Sequence, residues 1–154
     1  MQGRQAGSAR APERYRVAVE TTAGRFEIEV HRAWAPHGAD RFFELARAGY
    51  YDDSRFFRVV AGKWAQFGIA GEPALAQAWR HRTIPDDVPV QSNRPGFVAF
   101  ANTGAGTRST QVFINLGDNS ARLDDEPAFA PFGRVASGLD VVERLHSGYG
   151  ETSG

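Results

Sequence analysis

The chain of 154 residues contains no cysteine, one methionine and one lysine, and its formal net charge is zero. The lack of cysteine excludes structural disulfides, thiolate nucleophiles and cysteine-ligated zinc or iron–sulfur centres. The balance of 18 basic and 18 acidic residues argues against a nucleic-acid partner, because such partners are held by a strongly basic surface. No apolar run approaches the roughly 20 residues of a membrane-spanning helix, so we expect no membrane partner.

The N-terminal residues differ from the rest of the chain in composition and in hydrophobic periodicity. Residues 1–13 mix Gly, Gln, Ser, Ala, Arg and Pro without periodicity, which predicts a flexible leader. They include no apolar stretch of the kind that a secretory signal requires, so we expect a cytoplasmic protein. The remaining residues, 14–154, have the length of one domain, which can bury roughly 70% of its unfolded surface without a disulfide or metal.

Alternating and helical hydrophobic patterns predict a hairpin and two helices. Residues 15–20 and 26–30 alternate apolar and polar side chains around turn residues at 21–24, which predicts a β-hairpin. A first helix is predicted over residues 36–48, because Pro36 suits a first helical turn and Gly49 suits a helix end. Its apolar stripe is Ala39, Phe42, Phe43 and Ala46, and a second helix is indicated by Leu139, Val142 and Leu145.

Five further runs are short and rich in β-branched and aromatic residues: 56–60, 63–68, 97–101, 112–115 and 132–136. Residues 70–95 have little periodicity, and loops of that length in compact domains are usually functional or flexible. Because the strands outnumber the helices and do not alternate with them, the pattern favours an antiparallel barrel or sandwich with packed helices over a doubly wound sheet.

Familiar catalytic and metal motifs are scarce. The four histidines share no ligand spacing, which favours surface or structural roles. The carboxylate clusters, among them Asp86-Asp87 and Asp124-Asp125, lie in turn-like sequence and favour solvated turns over acid–base catalysis. Gly104-Ala105-Gly106 leads into a strand, which argues against a phosphate loop. We therefore expect no metal and no cofactor, and an enzyme of this sequence would work by positioning and electrostatics.

Three segments, in this order and spacing, resemble a known family. They are FFRVVAG (56–62) with QFG (66–68), GFVAFAN (96–102) with STQVFI (109–114), and LD (123–124) with FAPFGRV (129–135). The chain resembles the cyclophilins, the cyclosporin-binding class of peptidyl-prolyl cis–trans isomerases, over roughly residues 15–150. The resemblance implies a mainly β fold, an antiparallel barrel with two packed helices. Family members usually continue into a last strand that helps close the barrel, so from the end at Gly154 we expect a truncated chain or a shortened variant without that strand.

The resemblance also implies a role for nine residues. Three match the family's catalytic positions: Arg58, Gln66 and Phe113. Six match positions that contact substrate: Trp64, Ala101, Asn102, Gln111, Leu123 and Phe129. In the family an arginine guanidinium assists rotation about the prolyl bond, and apolar residues hold the proline ring.

Several of these positions depart from the family's pattern. Phe57 and Phe129 replace histidines, Lys63-Trp64 replaces a Phe-Met pair, and Arg122 replaces the tryptophan linked to cyclosporin affinity. An arginine lacks the flat apolar face and indole donor of tryptophan, so we expect weak cyclosporin binding.

The resemblance predicts a peptidyl-prolyl cis–trans isomerase that acts on Xaa-Pro bonds of proteins and assists their folding. Its partners would be proline-containing peptides or unfolded protein segments. One alternative is a cyclophilin-like module that binds proline peptides with weak or no catalysis, which is favoured by Lys63 at the pocket rim and by the lost pocket histidine. A further alternative is a domain of a larger assembly.

Overall fold

A computed structural model describes residues 10–21, 23–51, 58–60, 62–68, 72–124 and 129–149, with the side chains of Arg58, Arg122 and residues 145–149 outside the description. Seven antiparallel strands form one curled sheet in the order β1-β2-β7-β5-β6-β4-β3. Their bounds are β1 Arg14–Thr21, β2 Gly24–His31, β3 Arg58–Val60, β4 Trp64–Phe67, β5 Phe97–Phe100, β6 Val112–Asn115 and β7 Gly133–Ser137. The mainly β antiparallel architecture is confirmed.

Two long helices pack on the sheet, as the sequence predicts. They are α1 Pro36–Arg47 and α4 Leu139–Tyr149. The described residues also form two short helices, α2 Pro73–Trp79 and α3 Ser120–Leu123. A 3-10 turn, Arg32–Trp34, leads into α1. Gly49 adopts a positive φ of 75° just after α1, in the left-handed conformation that a helix end favours for glycine. Among the described residues, no helix is both long and apolar enough to cross a bilayer.

The hairpin follows directly from its alternating pattern. β1 and β2 pair in unbroken register from Arg14 opposite His31 to Thr21 opposite Gly24. The inward residues of β2, Phe26, Ile28 and Val30, are fully buried and form one end of the core. Burial of each such side chain stabilises the fold by roughly 1.5–3 kcal/mol, so a one-residue register slip would be costly.

The stretch predicted as a long irregular loop, residues 70–95, contains a helix that its periodicity does not indicate. The Glu72 carboxylate accepts hydrogen bonds from the N–H groups of Ala74 (2.6 Å) and Leu75 (3.2 Å), and Pro73 occupies the first turn of α2. With only seven residues, α2 is too short for a periodic pattern to emerge, and its capping residue carries the signal instead. Residues 82–90 then run without regular structure.

The apolar stripe of α1 also differs in part from the prediction. Ala39 and Phe42 face the core, but Leu45 is buried where the prediction placed Phe43 and Ala46. The half-buried Phe43 packs edge-on against Tyr15 of β1, with ring centroids 5.2 Å apart. Helix α1 therefore packs one face against the core and an adjacent face against β1.

The predicted boundary between a leader and the domain stays a prediction. Of the leader, only residues 10–13 are described, and there Ala11 is buried and its N–H donates to Asp40 Oδ1 at 2.9 Å. Within the described residues, β1 pairs only with β2 and β3 only with β4, which makes these two strands the edges of the sheet.

Candidate active site

A cavity of about 340 Å³ opens beside β4 and β6. Its lining is Trp64, Gln66, Ala101, Asn102, Thr103, Thr107, Ser109, Gln111, Phe113, Leu123 and Phe129. Eight of the nine residues predicted for the site lie in this set. The ninth, Arg58, is described by its backbone alone.

The three predicted catalytic positions occupy one row across adjacent strands. Arg58 in β3 is the register partner of Gln66 in β4, and Gln66 is the partner of Phe113 in β6. Directly opposite residues of antiparallel strands lie on the same face of a sheet. The strand register therefore brings positions that are 8 and 47 residues apart in sequence to neighbouring points at the cavity.

One side of the cavity is apolar. The Phe113 ring is buried and meets the Phe129 ring edge-on, with centroids 5.7 Å apart and planes at 79°. The half-buried side chains of Leu123 and Trp64 complete this wall. Aromatic edges and aliphatic groups of this kind offer a slot in which a pyrrolidine ring can be desolvated.

The other side of the cavity is polar and uncharged. The Gln66 side-chain nitrogen donates to Gln111 Oε1 at 3.1 Å, which orients both carboxamides. The bond does not use Gln66 Oε1 or the Gln111 side-chain nitrogen, so these groups suit a substrate amide or a neighbouring donor. The N–H of Ala101 donates to the Gln111 carbonyl at 2.8 Å and fixes the next wall of the cavity to β6.

The wall formed by residues 101–109 is a tight loop with internal hydrogen bonds. Asn102 Oδ1 accepts from the N–H of Gly104 at 3.1 Å. The Thr107 hydroxyl accepts from the N–H of Thr103 and donates to the Gly104 carbonyl, both at 2.8 Å. These bonds order the loop without any contribution from regular secondary structure.

Asp86 and Asp87 anchor this loop, and the burial of the Asp87 side chain contradicts the expectation of a solvated turn there, whereas Asp86 is exposed. Asp86 accepts from the N–H of Gly106 at 3.0 Å. The Asp87 side chain, which is 2% exposed, pairs with Arg108 at 3.1 Å. Asp87 also accepts from the backbone N–H of His37 at the start of α1, at 3.0 Å, and so caps that helix from a distant loop.

A second buried guanidinium supports the loop from α1. Arg41 donates to the Ser109 carbonyl at 3.0 Å and to the Arg82 carbonyl. Burial lowers the pKa of Arg41, against the opposing influence of Glu44, which lies 3.4 Å from its Nε. Burial also raises the pKa of Glu44, an effect that Arg41 opposes.

No residue of the described lining carries a formal charge. Those residues therefore offer no group for proton transfer near neutral pH, and what they present to a bound molecule is shape and neutral hydrogen-bonding groups. The described part of the chain also contains no group of three or more His, Asp or Glu residues placed to hold a metal ion.

Residues 16–154 match the family model described as cyclophilin type peptidyl-prolyl cis-trans isomerase/CLD. The chain belongs to the cyclophilin-type peptidyl-prolyl cis–trans isomerases. This confirms the family indicated by the sequence motifs, and with it the enzyme class.

Individual cyclophilin relatives agree with this assignment. The chain is 32% identical to peptidyl-prolyl cis-trans isomerase-like 1 of Rhizopus delemar, over 86% of this chain and 81% of that protein. It is 31% identical to a peptidyl-prolyl cis-trans isomerase of Arabidopsis thaliana, over 85% and 80% of the two chains. A crystal structure of a cyclophilin type isomerase of Cryptosporidium parvum has the same fold, with a TM-score of 0.71 at 21% identity over 86% of this chain and 83% of that one.

Sequence reasoning missed several residues of this cyclophilin's cavity. Thr103, Thr107 and Ser109 line it; the sequence signals near them are Gly104 and Gly106, which adopt positive φ, and the STQVFI motif that begins at Ser109. Arg108 and Asp87, which hold the loop, carry no motif. The catalytic and binding roles assigned to the nine residues stay predictions.

Proposed function

We propose that the cavity holds an Xaa-Pro segment of another protein and lowers the barrier to rotation about the prolyl bond, thereby assisting folding. The observation that carries the proposal is the row formed by Arg58, Gln66 and Phe113, which crosses three strands beside the cavity. Supporting it, a Cryptosporidium parvum cyclophilin was crystallised in the presence of the dipeptide Ala-Pro, and its structure matches this chain with a TM-score of 0.70.

Rotation about a peptide bond is slow because amide resonance sets a barrier of roughly 18–20 kcal/mol. In the twisted state the prolyl nitrogen loses its conjugation and becomes a hydrogen-bond acceptor. We assign the donor to Arg58, whose guanidinium stays protonated at any physiological pH. A contact that strengthens only in the twisted state lowers the barrier without a covalent step or a proton transfer.

The remaining lining residues would bind the proline ring and the substrate backbone. Phe113, Leu123 and Phe129 would desolvate the proline ring and fix it. Asn102 and Gln111 would bind the backbone of the substrate by hydrogen bonds. With one side of the bond held in the apolar slot, the other side can rotate.

Arg58→Ala tests the assignment. Loss of one preorganised donor typically costs roughly 2.7–4 kcal/mol, so we expect kcat/KM to fall by about 10²–10³ while the fold persists. The assay is exchange NMR on an Ala-Pro-Phe peptide, which needs no coupled protease. Arg134→Ala is the matched control, because Arg134 is half exposed in β7 and pairs with Glu29, away from the cavity. Parental turnover by the Arg58 variant would contradict the mechanism.

A binding module with weak turnover is the second candidate. It is favoured by Phe129, which lines the cavity where the family has a histidine, and by the exposed Lys63 next to Trp64. The same NMR experiment separates the two functions, since a binder shifts the peptide resonances on titration but leaves the exchange rate between cis and trans unchanged.

A further inference from the structure

A buried cluster of amide side chains lies behind the apolar wall of the cavity. Asn93 and Asn115 are fully buried and Asn119 is 8% exposed. Asn115 donates to Asn93 Oδ1 at 3.1 Å, and Asn119 donates to Asn115 Oδ1 at 2.7 Å. Buried amides are costly unless their hydrogen bonds are made, so a connected cluster of this kind holds its members in one arrangement.

All the N–H donors of Asn93 are used in hydrogen bonds. Its side-chain nitrogen donates to Asp124 Oδ1 and to the Phe129 carbonyl, both at 2.9 Å. Its backbone N–H donates to the same Asp124 oxygen at 3.0 Å, and its carbonyl accepts from the N–H of Asn119 at 2.8 Å. Because a carboxylate and a carbonyl can only accept, the side-chain nitrogen must face them, which defines the amide orientation.

Both acceptors of the Asn93 side-chain nitrogen belong to the apolar wall or to a residue next to it. Asp124 directly follows Leu123, and Phe129 is itself part of the lining. The N–H of Phe129 also donates to the Leu123 carbonyl at 3.1 Å, which closes the same segment. Residues 125–128, between the two acceptors, lie outside the described residues. One side chain thus connects the two flanks of a segment that contributes two wall residues.

We infer that Asn93 is a positioning residue, which sets the separation of Leu123 and Phe129 and thereby the affinity of the cavity for the proline ring. Asn93 does not line the cavity and acts through Phe129. The inference rests on the proposed function only in that the ligand is a proline peptide, and it concerns affinity rather than rotation.

Peptide affinity, measured by NMR titration with Ala-Ala-Pro-Phe, tests this inference without any need for turnover. We expect Asn93→Ala to raise Kd by about tenfold, the size of effect typical of a displaced aromatic contact, and to raise KM similarly while kcat at saturation stays within about threefold. Val30→Ala, which removes buried methyl groups from β2 at a position that does not line the cavity, is the matched control for general destabilisation and should keep the parental Kd.

A double-mutant cycle separates positioning from loss of stability. If Asn93 acts through Phe129, the double variant Asn93→Ala/Phe129→Ala should bind no more weakly than Phe129→Ala alone. Should Asn93→Ala fail to fold, Asp124→Ala removes the carboxylate acceptor and enters the same cycle. Parental affinity of the single variant, or losses that multiply in the double variant, would overturn the inference. If the parent protein shows no turnover but the peptide Kd values still follow the expected cycle, the proposed function is contradicted and this inference stands.

Discussion

The Arg16–Glu27 ion pair on the β1–β2 hairpin is partly in solvent, whereas the Arg108–Asp87 ion pair beside the cavity is buried. Arg16 pairs with Glu27 at 3.2 Å and is 56% exposed. Arg108 pairs with Asp87 at 3.1 Å, and the two side chains are 3% and 2% exposed. The distances are alike, but water screens the first pair and is excluded from the second. The two regions therefore depend on polar contacts to very different degrees.

Two arginine-to-alanine substitutions, one in each region, test this difference most directly. Arg108→Ala leaves the Asp87 carboxylate buried without its cation, so we expect a loss of about 3–5 kcal/mol in the free energy of unfolding. Arg16→Ala removes the ion pairs with Glu27 and Glu29, but the Arg16 guanidinium is more than half exposed and Glu29 keeps Arg134, so the loss should be about 0–1 kcal/mol. Urea unfolding of both variants measures the two losses side by side. Equal losses would show that the buried pair contributes no more than the exposed one.

The same contrast explains which features could be predicted from the sequence. Phe26, Ile28 and Val30 alternate on one strand, and the pairing of that strand with its hairpin neighbour is local. The cavity residues were recognised through a family motif, and the register of β3, β4 and β6 brings them together. For Arg58 and Phe113, spacing in sequence alone would have given no reason to place them in one row, on either side of Gln66.

The supporting residues could not be predicted, because their partners are distant and follow no period. Asp87 caps α1 by accepting from the N–H of His37, 50 residues earlier, and Asn93 bonds to Asp124 across 31 residues. In sequence Asp87 has the signature of a solvated turn, and its burial depends on Arg108. Buried polar contacts of this kind depend on tertiary packing, which local propensity does not encode.

An effect of intermediate size, on cyclosporin affinity, is expected at position 122, which departs from the family pattern next to the apolar wall. Position 122 lies in α3 next to Leu123, and the resemblance implies that the family's tryptophan there supports cyclosporin affinity. We expect the parent to bind cyclosporin weakly and Arg122→Trp to tighten Kd by about 30-fold, since buried tryptophan anchors are typically worth about 2 kcal/mol. Calorimetric titration measures both. The control is Arg94→Trp, because Arg94 is exposed and stacks on Phe97 outside the cavity. Tight binding by the parent would contradict the alignment of residues 121–129.

The smallest effect belongs to the hairpin and depends on pH. The hydrogen bond from His31, followed by the charges of Arg134 and Arg16, lowers the pKa of Glu29 below its usual value of about 4.5. A carboxyl whose pKa is lower in the folded state stabilises the fold above its unfolded pKa and loses that contribution as pH falls through the folded value. Glu29→Gln should therefore cost about 0.2–1 kcal/mol at pH 6, and the difference from the parent should close as the pH is lowered toward 2. Urea midpoints across this range measure the difference, with the more exposed Glu20→Gln as the control. A difference that persists in acid would mean that Glu29 stabilises the hairpin through packing rather than through its charge.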